Sequence, residues 1–246
     1  VARKQWLLRW LSVSAFLLYI SLVGAWGAIS YYLPLMYLLL YLFAFYRSYK
    51  LIPNLPRNAP TVSEKDKRLG KINWGVFLLL FALDGWAVWG FSPHQRPFEI
   101  DFPLNRGMYY VWNGGGSPLT NQCPFRNKQT HAVDIVKLNR IGVRSSAIPA
   151  QGLSSYEIFG DMLLSPCEGI VVMVQQGMAD SLLSGSRADT ATGNMLVVEC
   201  AGVNLFFLHL MDSSIVVDKG QWVQLGQYLA VVGNSGNSVE PHLHIH

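Results

Sequence analysis

Charged residues are scarce in this chain of 246 residues: they make up 14% of it, whereas hydrophobic residues make up 51%. None occurs between Trp10 and Tyr46, a run of 37 positions. Soluble domains carry roughly a quarter charged residues, so the shortage excludes a single soluble domain. One helix needs only about 20 apolar residues to cross the hydrocarbon core of a membrane, and the run therefore predicts two crossings.

The sequence predicts three transmembrane helices in all. The first two share the uncharged run, at about residues 10–27 and 28–46, with a turn near Trp26 in "GAWGAIS". The third covers about residues 72–91, "INWGVFLLLFALDGWAVWGF". Its Asp84 lies at membrane depth, where an ionisable side chain is a functional candidate, although we favour a structural hydrogen bond to the neighbouring helices.

Basic residues are concentrated on two segments that flank these helices. Three precede the first helix, and seven more crowd the link at residues 47–71. The positive-inside rule places both segments in the cytoplasm, so the third helix exports the chain from about Ser92 onward. Residues 1–91 carry a net charge of +7 and residues 92–246 one of −3. The positive charge of the whole chain therefore reflects membrane topology and indicates no nucleic-acid partner.

No segment beyond Ser92 shows sustained helical periodicity. Short apolar runs such as "HAVDIV", "NMLVVECAG" and "VNLFFLHL" alternate with Gly, Pro, Asn and Ser, which predicts closely spaced strands. We expect residues 1–91 to form a helical membrane anchor, residues 92–107 a linker, and residues 108–246 a mainly antiparallel β domain outside the cytoplasm.

Only three cysteines are present. If "EGIVVMV" pairs antiparallel with "NMLVVEC" so that Val171 faces Leu196, Cys167 and Cys200 become cross-strand neighbours. A disulfide between them is geometrically feasible and is expected outside the cytoplasm. Cys123 is left as a free thiol, an intermolecular bridge or a metal ligand.

Histidine is also scarce, and five of the six histidines lie in the predicted β region. His242 and His244 alternate in "EPHLHIH", so their side chains share one face of a strand and can converge. His131 and Asp134 in "THAVDIV" and His209 in "FFLHLM" stand at or beside other strands. An isolated His-x-His is more often a polar edge strand, but imidazole and carboxylate together suit a catalytic zinc site with three protein ligands and one open position.

This order of segments resembles the lysostaphin/LytM-type zinc metallopeptidases, in which a His and an Asp lie a few residues apart, followed by a His-Leu-like pair and then Pro-His-x-His. The resemblance covers about residues 108–246 and includes "SPCEGIV", "KGQWVQLGQYLAVVGNSGNS" and "PHLHIH". It implies a compact antiparallel β fold with a groove, a bound Zn²⁺, and stem or cross-link peptides of bacterial peptidoglycan as substrates. With the helical anchor, it implies a cell-wall remodelling endopeptidase of the bacterial inner membrane with a periplasmic C-terminal domain.

The resemblance also implies a role for each candidate residue. Position by position, His131, Asp134 and His244 correspond to the zinc ligands. His209 and His242 correspond to the pair that orients and deprotonates the attacking water and stabilises the oxyanion.

One spacing departs from the family pattern. The family most often has His-x-x-x-Asp, whereas His131 and Asp134 are one residue closer, with Thr130 in the usual histidine position. The first ligand is therefore either His131 on a shifted backbone or another upstream group such as Cys123.

Two alternatives follow. The altered spacing leaves open a degenerate domain that binds peptidoglycan without cutting it, as a scaffold or activator in the envelope. A biotinyl- or lipoyl-like carrier is suggested by "KGQWVQLGQYLAVVG", but such a carrier needs a lysine at an exposed hairpin tip and "GNSGNS" at residues 233–238 has none. Besides the lipid bilayer, the helices could contact other membrane proteins.

Overall fold

The computed structural model describes residues 3–55, 63–92, 97–121, 132–182 and 192–246. Within these residues the N-terminal part is helical and the C-terminal part consists of strands and loops. The helices are α1 (Arg3–Val23), α2 (Leu33–Tyr49) and α3 (Glu64–Phe91). The strands are β1 (Met108–Asn113), β2 (Val133–Leu138), β3 (Met162–Leu164), β4 (Gly169–Gln175), β5 (Asn194–Cys200), β6 (Val203–Leu210), β7 (Trp222–Val223), β8 (Tyr228–Val231) and β9 (Leu243–Ile245).

The three predicted membrane spans are supported only in part. Among the described residues, α1 and α3 are the two helices long and apolar enough to cross a membrane. The second helix begins at Leu33 because Pro34 occupies its first turn, where the missing N–H is harmless. Its 17 residues span about 25 Å, less than the roughly 30 Å hydrocarbon core.

The third helix starts two turns earlier than the apolar segment that predicted it. The Ser63 hydroxyl accepts a hydrogen bond from the Asp66 backbone N–H at 3.1 Å, which caps the helix amid charged residues. Farther along this helix, Asp84 is buried, and its Oδ1 has no hydrogen-bond partner within the described residues. The hydrogen bond that we favoured for Asp84 is therefore not made by this atom.

The β domain is antiparallel, as predicted. Seven strands form one sheet in the order β1-β2-β9-β6-β5-β4-β7, and β3 pairs with β8 in a second. The core consists of buried aliphatic and aromatic side chains from both sheets, including Leu163, Leu196, Phe207, Leu229 and Leu243. Leu104, in the predicted linker, is also buried in this core. The central strands β2, β9 and β6 lie side by side, and they carry most of the candidate site residues.

The predicted disulfide is confirmed, but the register that suggested it is wrong. Cys167 and Cys200 are bonded, with 6.0 Å between their Cα atoms. The structure pairs Val171 with Val198, two positions from the predicted Leu196, and the register shifts again between Val171 and Met173. A bulge adds a residue to one strand only, which a constant register cannot anticipate.

A loop between the first two helices, residues 24–32, lies against the β domain; we call it the docking loop. The Tyr31 N–H donates to the Gly142 carbonyl at 2.8 Å, and the Arg144 N–H donates to the Gly27 carbonyl at 2.9 Å. The Tyr110 hydroxyl donates to the Gly24 carbonyl at 3.2 Å. These bonds hold the β domain at the end of the helical region where α1 ends.

Candidate metal site

The candidate site lies across three neighbouring strands. In the sheet, His244 on β9 faces Asp134 on β2 and Leu208 on β6. The ring centroid of His209 lies 5.0 Å from that of His242 and 5.9 Å from that of His244. One nitrogen from each of these three histidines lies within 4.8 Å of the other two. The sheet therefore brings together four side chains from three segments that are far apart in sequence.

His209 enters this cluster through an unusual backbone conformation. Its φ angle is +61°, in the left-handed region that residues with a side chain seldom adopt. Such a residue interrupts the alternation of side chains along a strand. Strained conformations of this kind persist where the surrounding structure fixes them, and they cluster at functional sites.

Asp134 is held by neighbours on both carboxylate oxygens. The His244 Nδ1 atom lies 2.6 Å from Asp134 Oδ1, and the His242 Nε2 atom lies 3.5 Å from the same oxygen. The amide of Asn113, at the end of β1, donates to Asp134 Oδ2 at 3.0 Å. The amide therefore occupies one oxygen and leaves the other facing the histidines.

Backbone carbonyls orient two of the imidazole rings. His209 Nδ1 lies 2.8 Å from the Ser235 carbonyl, and His242 Nδ1 lies 2.8 Å from the Glu240 carbonyl. A carbonyl can only accept, so each Nδ1 carries a proton, and in the neutral form of either ring Nε2 carries the lone pair. His244 Nε2 is buried without a hydrogen-bond partner within the described residues.

The electrostatics of the site follow from this burial. Burial lowers the pKa of His209 to about 3, with a further contribution from His242, so its imidazole is neutral at physiological pH. Burial alone would raise the pKa of Asp134. The hydrogen bond from His244, the proximity of both site histidines and the Asn113 amide outweigh that effect and leave the pKa of Asp134 below its ordinary value.

The donor set fits a zinc ion. The carboxylate oxygen and the imidazole nitrogen of two expected ligands, Asp134 Oδ1 and His244 Nδ1, lie 2.6 Å apart, and the rings of His209 and His242 lie beside them. Two acceptors side by side repel unless a cation or a proton lies between them. Zinc prefers imidazole nitrogen and carboxylate oxygen.

The structure thus brings together four of the five predicted site residues: Asp134, His209, His242 and His244. The fifth, His131, lies outside the described residues, as does the alternative ligand Cys123. His246 is not one of the three histidines whose nitrogens converge; its ring stacks on Phe206 at 4.6 Å and lies 5.3 Å from the ring of His244.

Sequence reasoning missed the residues that orient the site. Asn113 and the carbonyls of Ser235 and Glu240 hold site side chains through hydrogen bonds. Backbone carbonyls carry no sequence signal. The position of Asn113 at the end of a strand gave one weak signal, but nothing indicated that it faces Asp134.

Residues 152–246 match the model of peptidase family M23. The matched range contains His209, His242 and His244 and begins after Asp134. A search of the curated proteins finds no match.

Several solved structures resemble the chain at low identity. A zinc-containing peptidase from Vibrio cholerae is 23% identical, with a TM-score of 0.38 over 59% of this chain and 35% of that one. The catalytic domain of the antimicrobial peptidase lysostaphin from Staphylococcus simulans is 20% identical, with a TM-score of 0.29 over 60% of this chain and 77% of that one. A complex of SpoIIIAH and SpoIIQ is 14% identical, with a TM-score of 0.38 over 60% of this chain and 90% of that one.

The chain spans about a third of the length of the Vibrio peptidase. The family match, the antiparallel sheet and the Pro-His-x-His strand agree with one another. Residues 152–246 of this chain form a domain of peptidase family M23.

Proposed function

We propose that this protein is a membrane-anchored, zinc-dependent metalloendopeptidase that hydrolyses peptide bonds of bacterial peptidoglycan. The observation that carries the proposal is the convergence of Asp134 Oδ1 with the three histidines of an M23 domain. Two of those rings have their Nδ1 atoms committed to backbone carbonyls, so their Nε2 lone pairs are available to the site.

The zinc ligands in this proposal are Asp134, His244 and His131. The chemistry that zinc supplies when bound is Lewis-acid polarisation of the peptide carbonyl and a lower pKa of the water nucleophile. Asn113 fixes the Asp134 carboxylate through the 3.0 Å hydrogen bond to Oδ2, which keeps Oδ1 directed toward the histidines. Residues that orient ligands in this way commonly matter almost as much as the ligands.

The two remaining histidines handle the proton. His242 accepts it at Nε2, because its Nδ1–H already donates to the Glu240 carbonyl. His209 stays neutral, since burial holds its pKa near 3, and its Nε2 orients a water molecule by accepting a hydrogen bond. Protonated His242 then donates a hydrogen bond to the oxyanion or the proton to the leaving amine.

The anchoring part of the proposal rests on the helical region. The 18-residue apolar windows of α1 and α3 are only 11% and 22% buried, so most of their apolar surface is free to face lipid. Basic residues precede α1 and fill residues 47–71, so in this proposal both segments are cytoplasmic and the chain returns across the membrane through α2 and the residues beside it. The docking loop and the domain that it contacts then lie in the periplasm, with residues 1–91 as the anchor, residues 92–107 as a connection and residues 108–246 as the peptidase domain.

The test uses the full-length protein in detergent micelles, incubated with purified sacculi. Released muropeptides are read by mass spectrometry, and zinc is measured by elemental analysis. We expect wild type to bind one zinc and to release peptides, and His244→Ala to lose both, because a site that loses a ligand binds zinc far more weakly. His209→Ala and His242→Ala should keep zinc and slow cleavage by roughly 10²- to 10⁴-fold.

His246→Gln is the matched control, since this histidine directly follows β9 and packs beside His244, but its nitrogens are not among those that converge at the site. It should keep both zinc and activity. A wild-type protein that binds one zinc per chain and cleaves no bond in sacculi would overturn the proposal.

That outcome would favour a scaffold that binds peptidoglycan without cutting it. One observation supports this second candidate: the spacing between His131 and Asp134 is one residue shorter than the family pattern.

A further inference from the structure

A largely buried ion pair is connected to His242 through the backbone of Glu240. Arg144 donates to Glu240 Oε2 from Nε at 3.0 Å and from Nη2 at 2.8 Å. The exposed fractions of the two side chains are 18% and 16%, so the pair is largely shielded from solvent. A charge pair in this setting is costly to break, because the remaining partner is left buried and uncompensated.

One backbone group, the Glu240 carbonyl, connects the ion pair to the site. The Glu240 carbonyl accepts from His242 Nδ1 at 2.8 Å and from the Ser238 hydroxyl at 2.8 Å. The orientation of that carbonyl therefore decides which nitrogen of His242 carries the proton. The ion pair between the Glu240 side chain and Arg144 fixes the position of Glu240, and with it the position of this carbonyl.

Arg144 is itself fixed from several sides. Its guanidinium lies 4.1 Å from the centroid of the Trp112 ring. Its backbone N–H donates to Gly27 in the docking loop at 2.9 Å, and its carbonyl accepts from the Glu157 N–H at 3.0 Å. Packing and hydrogen bonds thus leave the guanidinium little freedom to follow any movement of Glu240.

We propose that Arg144 and Glu240 are positioning residues that hold His242 in the Nδ1–H tautomer, with Nε2 free to accept a proton. This inference rests on the proposed function, because it gives His242 a proton-transfer role. It adds to that function two residues that touch neither substrate nor metal. It also links the docking loop, through the Arg144 backbone, to the orientation of a candidate catalytic group.

Two readouts test the proposal on full-length protein in micelles. The first is the ¹⁵N chemical shifts of the His242 ring in histidine-labelled protein at neutral pH, which report the tautomer directly. Wild type should show a protonated Nδ1. In Arg144→Gln and Glu240→Gln we expect a mixture of tautomers at His242, while the ring of His209, which bonds to Ser235, keeps its own tautomer.

The second readout is cleavage of a soluble muropeptide substrate. Both Gln variants should lower kcat by about 10- to 100-fold, the usual cost of removing a residue that orients an active-site group. KM should change less than about twofold and zinc content not at all, because neither residue is a ligand. Arg144→Lys keeps the charge and should recover part of the lost activity.

A milder variant tests the same proposal in case the Gln variants do not fold. Tyr156 makes a hydrogen bond with the Glu240 side chain, so Tyr156→Phe removes one contact of that side chain and leaves the ion pair intact. It should produce a smaller shift toward mixed tautomers than Glu240→Gln does.

The outcomes separate this inference from the proposed function. An unchanged His242 tautomer in folded Arg144→Gln and Glu240→Gln protein overturns the inference, whether or not wild type cleaves peptidoglycan. Loss of zinc in these variants also overturns it, because the pair would then act on the metal ligands. A wild type that cleaves nothing, but whose tautomer changes in both variants, contradicts only the proposed function.

Discussion

The helical region and the β domain bury their apolar side chains to opposite degrees. None of the 17 residues of α2 is buried, and α1 buries only Leu8 and Ala15. In β5, by contrast, every residue except Glu199 is buried. The β domain therefore closes a core of its own, whereas the helices leave apolar surface that only lipid or another apolar partner can cover.

The two regions also treat polar groups differently. Around Asp134 the domain satisfies both carboxylate oxygens, through His244 and Asn113. Asp84 in the third helix leaves its Oδ1 without a partner in the described part of the chain. The carboxylate in the β domain thus has a partner on each oxygen, whereas the one in the helical region does not. The two regions meet at the docking loop and at the end of the third helix, where the Gly116 N–H donates to the Gly90 carbonyl at 2.6 Å.

The strongest test of this difference is to truncate one phenylalanine in each region. Phe207 is fully buried in the core of the β domain, whereas Phe81 on the third helix is 64% exposed. Phe207→Ala should lower the free energy of unfolding of the β domain by about 3 to 5 kcal/mol, through lost burial and a cavity. Phe81→Ala should change it by less than about 0.5 kcal/mol. Denaturant titration in micelles, followed by amide exchange of β5 and β6, measures both.

Equal losses for the two phenylalanines would contradict the comparison. They would mean that the third helix packs against the β domain and contributes to its stability instead of facing lipid.

The sequence predicted the strands and the grouping of histidines better than it predicted local geometry. The Pro-His-x-His alternation correctly indicated a strand whose rings share a face. The pairing of Cys167 with Cys200 was also correct, although Val171 faces Val198 and not Leu196. A bulge changes the register by the backbone conformation of one residue, and the side-chain pattern on either side gives no sign of it.

The helix bounds and the positive φ of His209 were harder to predict for the same reason. Hydropathy located the apolar segments, but the second and third helices begin at Leu33 and Glu64 because of Pro34 in the first turn and the Ser63 cap, which hydropathy ignores. His209 looks like an ordinary inward residue of β6, yet its φ of +61° is imposed by contacts from distant loops. Tertiary contacts decide such conformations, and they are not encoded within a short window of sequence.

A second prediction concerns the contact between the two regions. A Cβ atom at Gly27 would lie 3.2 Å from atoms of both Leu138 and Tyr110, so the docking loop approaches the sheet closely there. Gly27→Leu should overpack this contact and weaken docking by about 1 to 3 kcal/mol. We expect faster amide exchange at Tyr31 and Arg144, whose N–H groups bond across the contact.

Gly70→Leu is the matched control, because a side chain at this position in the third helix meets nothing within 4 Å. It should leave exchange at Tyr31 and Arg144 unchanged. If Gly27→Leu also leaves that exchange unchanged, the docking loop does not hold the two regions together.

The last prediction uses pH, because residues 1–91 contain no histidine, whereas the β domain buries His209 and His244. Burial lowers the folded-state pKa of His209 to about 3, against an ordinary value near 6.5. Below about pH 6.5, His209 therefore binds a proton in the unfolded chain but not in the folded one. The free energy of unfolding consequently falls as the pH falls toward 3. For this one group the loss should be about 1 kcal/mol per pH unit between roughly pH 6 and 4.

The test is urea unfolding of zinc-free wild type and of His209→Asn, monitored by the exchange of the β5 amides. The lowered folded-state pKa of Asp134 also costs stability as the pH falls, but Asp134 and His246 are present in both proteins, so the comparison isolates His209. The variant should therefore lose less stability than wild type on acidification, and parallel pH profiles would show that His209 is not held neutral by the fold.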